Sequence, residues 1–276
     1  MPLVSPAQII APAYAAGRGV GAFNVIQLEL AEAIVAGAES AARPVILQIS
    51  QNCVKYHGAL APIASACQAL ARSAAVPVAV HLDHAESVPL IAEALDLGLD
   101  SIMYDGSKLP DEANRASTAA VAALAHARGA WVEAELGEVG GKDGVHAPGV
   151  RTDPDDAAQF VLDTGVDSLA VAVGSSHAMT SRDAKLDFAL IAALRAAVPV
   201  PLVLHGSSGV PDSDLVTAVA AGMTKINIAT LLSQQFTGAV RAALTADPGL
   251  VDTRKYFAPA RAAVADSVAE LLAVIA

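Results

Sequence analysis

Three histidines of this chain stand at or just beyond the ends of apolar runs: His84 in VAVHLDH, His177 after LAVAVGSS and His205 after PLVL. One such histidine is more often a hydrogen-bonded structural residue than a ligand. Three of them on strands of one sheet can converge, and neutral imidazoles suit Zn2+ while leaving a coordination position open. Glu133 and Glu135 stand two apart in WVEAELG, so both face one side of a strand. A buried carboxylate needs a cation, a proton or hydrogen-bond donors. Glu135, nearer the end of its run, and Asp105, ending SIMYD, are therefore candidates for a further metal ligand or for salt bridges to a buried Lys or Arg. Of the other histidines, His81 lies inside its run and reads as a core residue or a support for the ligands. His126 falls in the last turn of a helix, where a cation is favoured, and His57 and His146 fall in loops.

Short β-branched runs alternate with Ala-rich helical stretches along the whole chain. The pattern predicts strands at Val20–Asn24, Pro44–Ser50, Val76–His84, Ser101–Asp105, Trp131–Gly137, Ser168–His177, Pro201–His205 and Thr224–Thr230. Helices are predicted at Leu28–Ala42, Ala59–Ala74, Asp111–Ala127, Asp155–Thr164, Phe188–Ala197 and Asp212–Ala221, with a helical tail at Tyr256–Ile275. Nearly continuous apolar strands between helices indicate a parallel sheet covered on both faces. Eight such units, with no dinucleotide-type glycine fingerprint after the first strand, point to an α/β fold, a (β/α)8 TIM barrel in one domain spanning residues 1–276. Each predicted strand ends in polar residues: Asn24, Ser50, Asp83-His84, Asp105, Glu135, His177, His205 and Asn227/Thr230. Barrel enzymes build their sites at that end of the strands.

Hydrophobic residues make up 54% of the 276 and aromatics 4%, so the core is aliphatic. A net charge of −11 argues against a nucleic-acid partner, and an anionic substrate must be gripped by a local device. No apolar run is long enough for a membrane span, and MPLVSPAQII lacks the charged start and apolar stretch of a secretion signal. A cytoplasmic protein is expected, with Cys53 and Cys67 as ordinary small apolar residues rather than a disulfide.

In order, HLDH, SIMYDGS, VEAELGEVGG, LAVAVGSSH, PLVLHGSSG and KINIAT resemble successive motifs of the class II (zinc-dependent) fructose-bisphosphate and tagatose-bisphosphate aldolases, from about Phe23 to the C-terminal tail. The resemblance implies a lyase that reversibly cleaves a ketose 1,6-bisphosphate to dihydroxyacetone phosphate and glyceraldehyde 3-phosphate. It implies His84, His177 and His205 as ligands of a catalytic Zn2+, with Glu135 and Asp105 matching a second, deeper cation position. Asp83 matches the acid/base at the C4 hydroxyl. Gly206, Ser207, Ser208, Asn227, Ile228, Ala229 and Thr230 match the loops that hold phosphate and the dihydroxyacetone half, while Asn24, Ser50 and Ala178 line the same pocket. A homodimer or homotetramer is the family expectation.

The chain departs from the family pattern in several places. Ala178 stands where a glycine is common, and Leu231 where an acid often follows NIAT. The loop GGKDGVHAPGV looks short and offers only Asp143, with Glu138 upstream, so the base at C3 is unassigned. Arg254, Lys255 and Arg261 are basic residues of the tail that read equally well as a solvated helix start. Among alternatives, an amidohydrolase would place an HxH pair on the first strand, which GAFNV lacks. A Schiff-base aldolase would need a desolvated lysine, and only Lys225 lies on a strand, several residues before its end, where it is expected to pair with a carboxylate deep in the barrel. A non-catalytic sugar-phosphate sensor would need neither Asp83 nor three histidines.

Overall fold

The computed structural model of this protein describes residues 2–136 and 151–276. Strands β1 (Val20–Asn24), β2 (Val45–Ser50), β3 (Val78–Ala85), β4 (Ser101–Tyr104), β5 (Trp131–Leu136), β6 (Ser168–Val171), β7 (Leu202–Leu204) and β8 (Met223–Ile228) pair in parallel and in chain order. Strand β8 returns to β1 with Val20 opposite Lys225 and Ala22 opposite Asn227, which closes the barrel. Helix α1 (Ala7–Ala16) precedes the first strand and α2 (Leu28–Ala41) follows it; α3 (Gln51–His57) and α4 (Ala61–Ser73) follow β2. Next come α5 (Val88–Asp96), α6 (Asp111–His126), α7 (Pro154–Thr164), α8 (Phe188–Ala197), α9 (Asp212–Ala221) and α10 (Thr230–Ala246), one after each later strand. The chain ends in the long helix α11 (Thr253–Ile275).

Local chemistry sets the helix ends. Ser50, Ser87, Asp153, Asp187 and Asp252 each accept a hydrogen bond from a first-turn amide of the helix they precede. Gly165 and Gly222 end α7 and α9 with positive φ, a conformation that a side chain would strain.

The period-2 alternation of the strands divides the interior in two. Outward residues such as Leu47, Leu82, Val132 and Ile226 join Ile34, Ile91, Phe160 and Leu215 of the surrounding helices in one large apolar shell. Inward residues at the N-terminal end, Val20, Ala22, Ile46 and Ala79, pack with Ile9, Ile10 and Ala13 of α1, which plugs the barrel floor. Further along the strands the lumen turns polar: Gln48, His81, Asp83, Glu133, Glu135 and Lys225 are all buried.

The barrel matches the sequence expectation, with local differences. Helices α1, α3, α5 and α10 were not expected, so His57 closes α3 rather than sitting in a loop and Thr230 opens α10 rather than ending β8. Strand β6 ends at Val171, so His177 lies six residues beyond it. Its pairing to β7 is confined to Leu169–Leu202 and Ala170–Val203, because β7 is only three residues long. Among the described residues, no helix is long and apolar enough to cross a membrane.

The tail α11 packs against α2 and depends on one glycine. A Cβ added at Gly37 would lie 2.5 Å from the backbone oxygen of Ala265 and 2.8 Å from Cβ of Val268. Replacing Gly37 by alanine is therefore expected to cost about 1–3 kcal/mol through forced separation of the two helices. Urea unfolding measures this, and an unchanged midpoint would contradict the close approach.

Candidate metal centre

The site begins with a local irregularity of β3. Consecutive strand residues point to opposite faces, so Asp83 and His84 should not share a site. In the pairing of β3 with β4, Leu82 lies opposite Ile102 but Ala85 lies opposite Tyr104, so β3 holds one extra residue there. His84 absorbs it in the left-handed region, at φ 47. A bulge of this kind re-aims a side chain, and both Asp83 and His84 line the cleft at the C-terminal end of the barrel.

Two glycines bring the other histidines in. A Cβ at Gly206, immediately after His205, would meet the backbone of Ser176 at 2.5 Å, so the β6 and β7 loops touch. A Cβ at Gly174 would lie 2.2 Å from the carbonyl oxygen of Lys185, which fixes the turn before His177. The ring centroids are 5.1 Å apart for His84–His177, 4.5 Å for His84–His205 and 5.6 Å for His177–His205. One donor atom from each of His84, His177, His205 and Glu135 lies within 4.8 Å of all the others.

The surroundings of these four fit a cation. His205 Nε2 lies 3.1 Å from Glu133 Oε1, a hydrogen bond in which the ring nitrogen donates. Its Nδ1 faces Glu135 Oε2 at 3.0 Å. Two lone-pair atoms at that separation repel unless a proton or a metal ion lies between them. Burial opposes charge on His205, but Glu133 and then Glu135 outweigh it and lift the imidazole to about 9. The same electrostatics favour a divalent cation: Asp83, Asp105, Glu133 and Glu135 are buried, and Lys225 is the one buried lysine or arginine among the described residues.

Asp105 stands outside the group of four. Its Oδ2 accepts from His84 Nδ1 at 2.9 Å and its Oδ1 from Ser107 Oγ at 2.6 Å, a geometry that orients the His84 ring. His81 is a core residue, as read from the sequence: its Nδ1 meets Ser101 Oγ at 2.6 Å, and burial followed by the charge of Lys225 drives it down to about 3. His126 pairs with Asp167 on the outside. His146, Glu138, Asp143 and the GGKDGVHAPGV loop lie outside the described residues.

Asp83 Oδ2 accepts from Asn24 Nδ2 at 3.2 Å, and Asn24 Oδ1 in turn accepts from Gln48 Nε2 at 2.8 Å. Its Oδ1 is buried without a hydrogen-bond partner among the described residues. Burial disfavours the anion, yet His84, Lys225 and His205 together hold this carboxyl far below the usual carboxylate range, so it is ionised.

The cleft, about 310 Å³, joins Asp83, His84 and His177 to Asn24, Ser50, Ala178, Gly206, Ser208, Asn227, Ala229 and Thr230. His205, Glu135 and Asp105 lie buried rather than on its wall. Ser207 and Ile228 do not line it either: Ser207 Oγ donates back to the Leu204 carbonyl, and Ile228 belongs to the apolar shell. Ser208 Oγ accepts from the amides of Ala229 and Leu231, tying the β7 loop to the start of α10. Sequence reasoning missed Lys55 and Lys108, which line the opposite side of the cleft with Glu86. Lys108 is 2.9 Å from Glu86. The basic tail residues are absent from the wall: Arg254 pairs with Asp252 and Arg261 with Glu32. Lys225 does not face the cleft, its Nζ being 2.8 Å from Glu133 Oε2.

A sequence model described as "Fructose-bisphosphate aldolase class-II" matches residues 4–276. The chain belongs to this family. Named relatives agree: fructose-bisphosphate aldolase of Geobacillus stearothermophilus is 40% identical over 272 residues, covering 97% of this chain and 95% of the relative. That of Staphylococcus aureus strain Mu50 is 38% identical over the same lengths. The crystal structure of the YdjI aldolase from Escherichia coli K12 superposes with a TM-score of 0.87 at 33% identity, covering 99% of this chain and 97% of that one. The ordered motifs from HLDH to KINIAT thus belong to a class II aldolase, and the converging donors are its candidate divalent-cation site.

Within that family setting, Ala178 is informative. It adopts φ 58, a left-handed conformation that disfavours any Cβ. The backbone thus keeps the shape that a glycine would take, at a cost of about 1 kcal/mol. Ala178→Gly is expected to raise the thermal midpoint by a few degrees, read by calorimetry; a lower midpoint would show that the Ala178 methyl is needed for packing. Removing a donor tests the centre itself. His205→Ala is expected to lose bound metal after dialysis, and normal metal content by elemental analysis would count against this constellation.

Proposed function

We propose that this chain reversibly cleaves fructose 1,6-bisphosphate into dihydroxyacetone phosphate and glyceraldehyde 3-phosphate, using Zn2+ held by His84, His177 and His205. Family membership supports the reaction class. The observation that carries the residue roles is a cleft where His84 and His177, with His205 buried against them, meet an ionised carboxylate, Asp83, whose Oδ1 has no hydrogen-bond partner among the described residues. When bound, the ion supplies a Lewis acid for the negative charge left on the ketose half.

The chain's own residues do the rest. Asp83 Oδ1 takes the proton of the C4 hydroxyl during cleavage and returns it during condensation. Asn24, held by Gln48, fixes the other oxygen of Asp83 and so aims the base. Gly206, Ser208, Asn227, Ala229 and Thr230 form the phosphate-holding wall, where the β7 loop meets the N-terminal end of α10, a place that favours anions. Ser207 and Ile228 support that wall from behind. Across the cleft, Lys55 and Lys108, with Ser50 beside them, suit a second phosphate and favour a bisphosphate over a monophosphate.

Glu135 offers a fourth donor to the ion. A second cation shared by Glu135 and Asp105 would have to draw Asp105 from His84, and two metal ions per chain would demonstrate it. We further propose a cytoplasmic homodimer or homotetramer, acting on the free sugar bisphosphate without nucleic-acid or membrane partners. Cys53 and Cys67 are both free, and burial lifts their thiols to about 11 and about 12, which leaves them unreactive.

Triose-phosphate release from fructose 1,6-bisphosphate, before and after chelation, tests the reading. Activity is expected to vanish with chelator and return with Zn2+, while tagatose 1,6-bisphosphate in parallel ranks the two epimers. Zinc bound at one ion per chain with no cleavage of either sugar would sink the proposal. Asp83→Ala is expected to keep its zinc and lose turnover by about 10²-fold or more. Undiminished turnover would remove Asp83 as the base, and a borohydride-trapped adduct at Lys225 would replace the zinc reading altogether.

A further inference from the structure

Beneath the metal donors lies a buried group that the proposed reaction does not use. Lys225 on β8 and Glu133 on β5 are wholly buried and face each other across the lumen, with Lys225 Nζ 2.8 Å from Glu133 Oε2. The second oxygen of Glu133 is engaged separately, accepting from His205 Nε2 at 3.1 Å. One carboxylate thus joins a lysine that never reaches the cleft to an imidazole of the metal centre.

A buried ion pair is a poor way to fill a barrel. Well-packed apolar side chains of similar volume do as well or better, because both charges must leave water. Plain packing therefore does not account for Lys225 and Glu133. What the pair does is constrain a ring. An imidazole has two nitrogens, and the one that donates a hydrogen bond leaves the other as the lone-pair donor. With Nε2 committed to Glu133, Nδ1 is the nitrogen left to give its lone pair to a metal ion once its proton is displaced, and it is the atom turned toward Glu135 Oε2. Glu133 can hold that line only if its own carboxylate does not rotate, and Lys225 pins the far oxygen. His205 needs such a support because it lies beyond the last residue of β7, just ahead of Gly206 in its left-handed turn.

We propose that Lys225 and Glu133 form a positioning pair that fixes the orientation and tautomer of His205, with Lys225 acting only through Glu133. The inference rests on the metal reading of the site, and it assigns work to two residues that touch neither metal nor substrate. Partners of this kind typically govern metal affinity by about 10–100-fold.

The test compares Zn2+ affinity, by competition with a chromophoric chelator, in the parent chain, E133Q, K225M and the double variant. Each single change leaves one buried charge unpaired and can prevent folding. The double variant removes both charges while retaining the shape of residue 133, so it decides the matter if either single variant fails to fold. Far-UV circular dichroism certifies the barrel in each. Zn2+ is expected to bind about 10–100-fold more weakly to the double variant. Where the single variants fold, the double is expected to be no weaker than E133Q, because the two residues act in series. The visible spectrum of the Co2+-loaded double variant is expected to shift, reporting altered ligand geometry that a change in stability alone would not produce. A folded double variant with parental Zn2+ affinity and an unchanged Co2+ spectrum would overturn the positioning pair. A parent chain that binds no Zn2+ would instead overturn the metal reading beneath it.

Discussion

Asp83, Asp105, Glu133 and Glu135 are all withdrawn from water at the C-terminal end of the barrel. An ionised group in such a place costs on the order of several kcal/mol unless charge and hydrogen bonds compensate it. Every polar contact in the upper lumen answers to this constraint. Lys225 neutralises one side of Glu133, and His205 donates to the other. Asn24 donates to Asp83, and His84 donates to Asp105. His205 Nδ1 lies 3.0 Å from Glu135 Oε2, a separation that a proton or a metal ion between them satisfies. Metal chemistry and the stability of this region are thus consequences of one arrangement of charge.

The barrel isolates that charge. Helix α1 packs Ile9 and Ile10 against Val20, Ala22, Ile46 and Ala79, so the lower lumen is apolar. The upper half opens into the cleft. There the chain accepts strained backbone: His84 and Ala178 both take left-handed conformations next to the donors. Strain of this kind survives where the surrounding structure over-determines it. Around His84 that role falls to the β3–β4 pairing on either side of the bulge.

An acidic chain can accept the anionic substrate proposed for it if most of its buried carboxylates are kept off the cleft wall. Asp105, Glu133 and Glu135 are buried off the cleft wall, which includes Gly206, Ser208, Ala229 and Thr230 as well as Lys55 and Lys108. Backbone amides and a helix start attract an anion without adding a formal charge to the protein.

The sequence by itself determined the architecture and most of the chemistry. Alternating apolar runs and Ala-rich helices imply a parallel barrel, because strands buried on both faces and helices with one apolar stripe leave few other packings. Polar residues at the ends of those runs mark the working face, since nothing else makes a strand stop in His, Asp or Glu so often. Even the pairing of Lys225 with a deep carboxylate was legible, because a strand lysine inside a barrel has few other partners. Only the tertiary structure decided how these residues share their contacts. That Asp83 and His84 face the same cleft depends on a bulge, which one-dimensional periodicity forbids rather than predicts. That His177 arrives from a loop, that Asp105 holds His84, and that Lys55 and Lys108 rather than the basic tail face the cleft depend on which loops touch. Those contacts join residues tens of positions apart, and no local pattern in the chain encodes which of them meet.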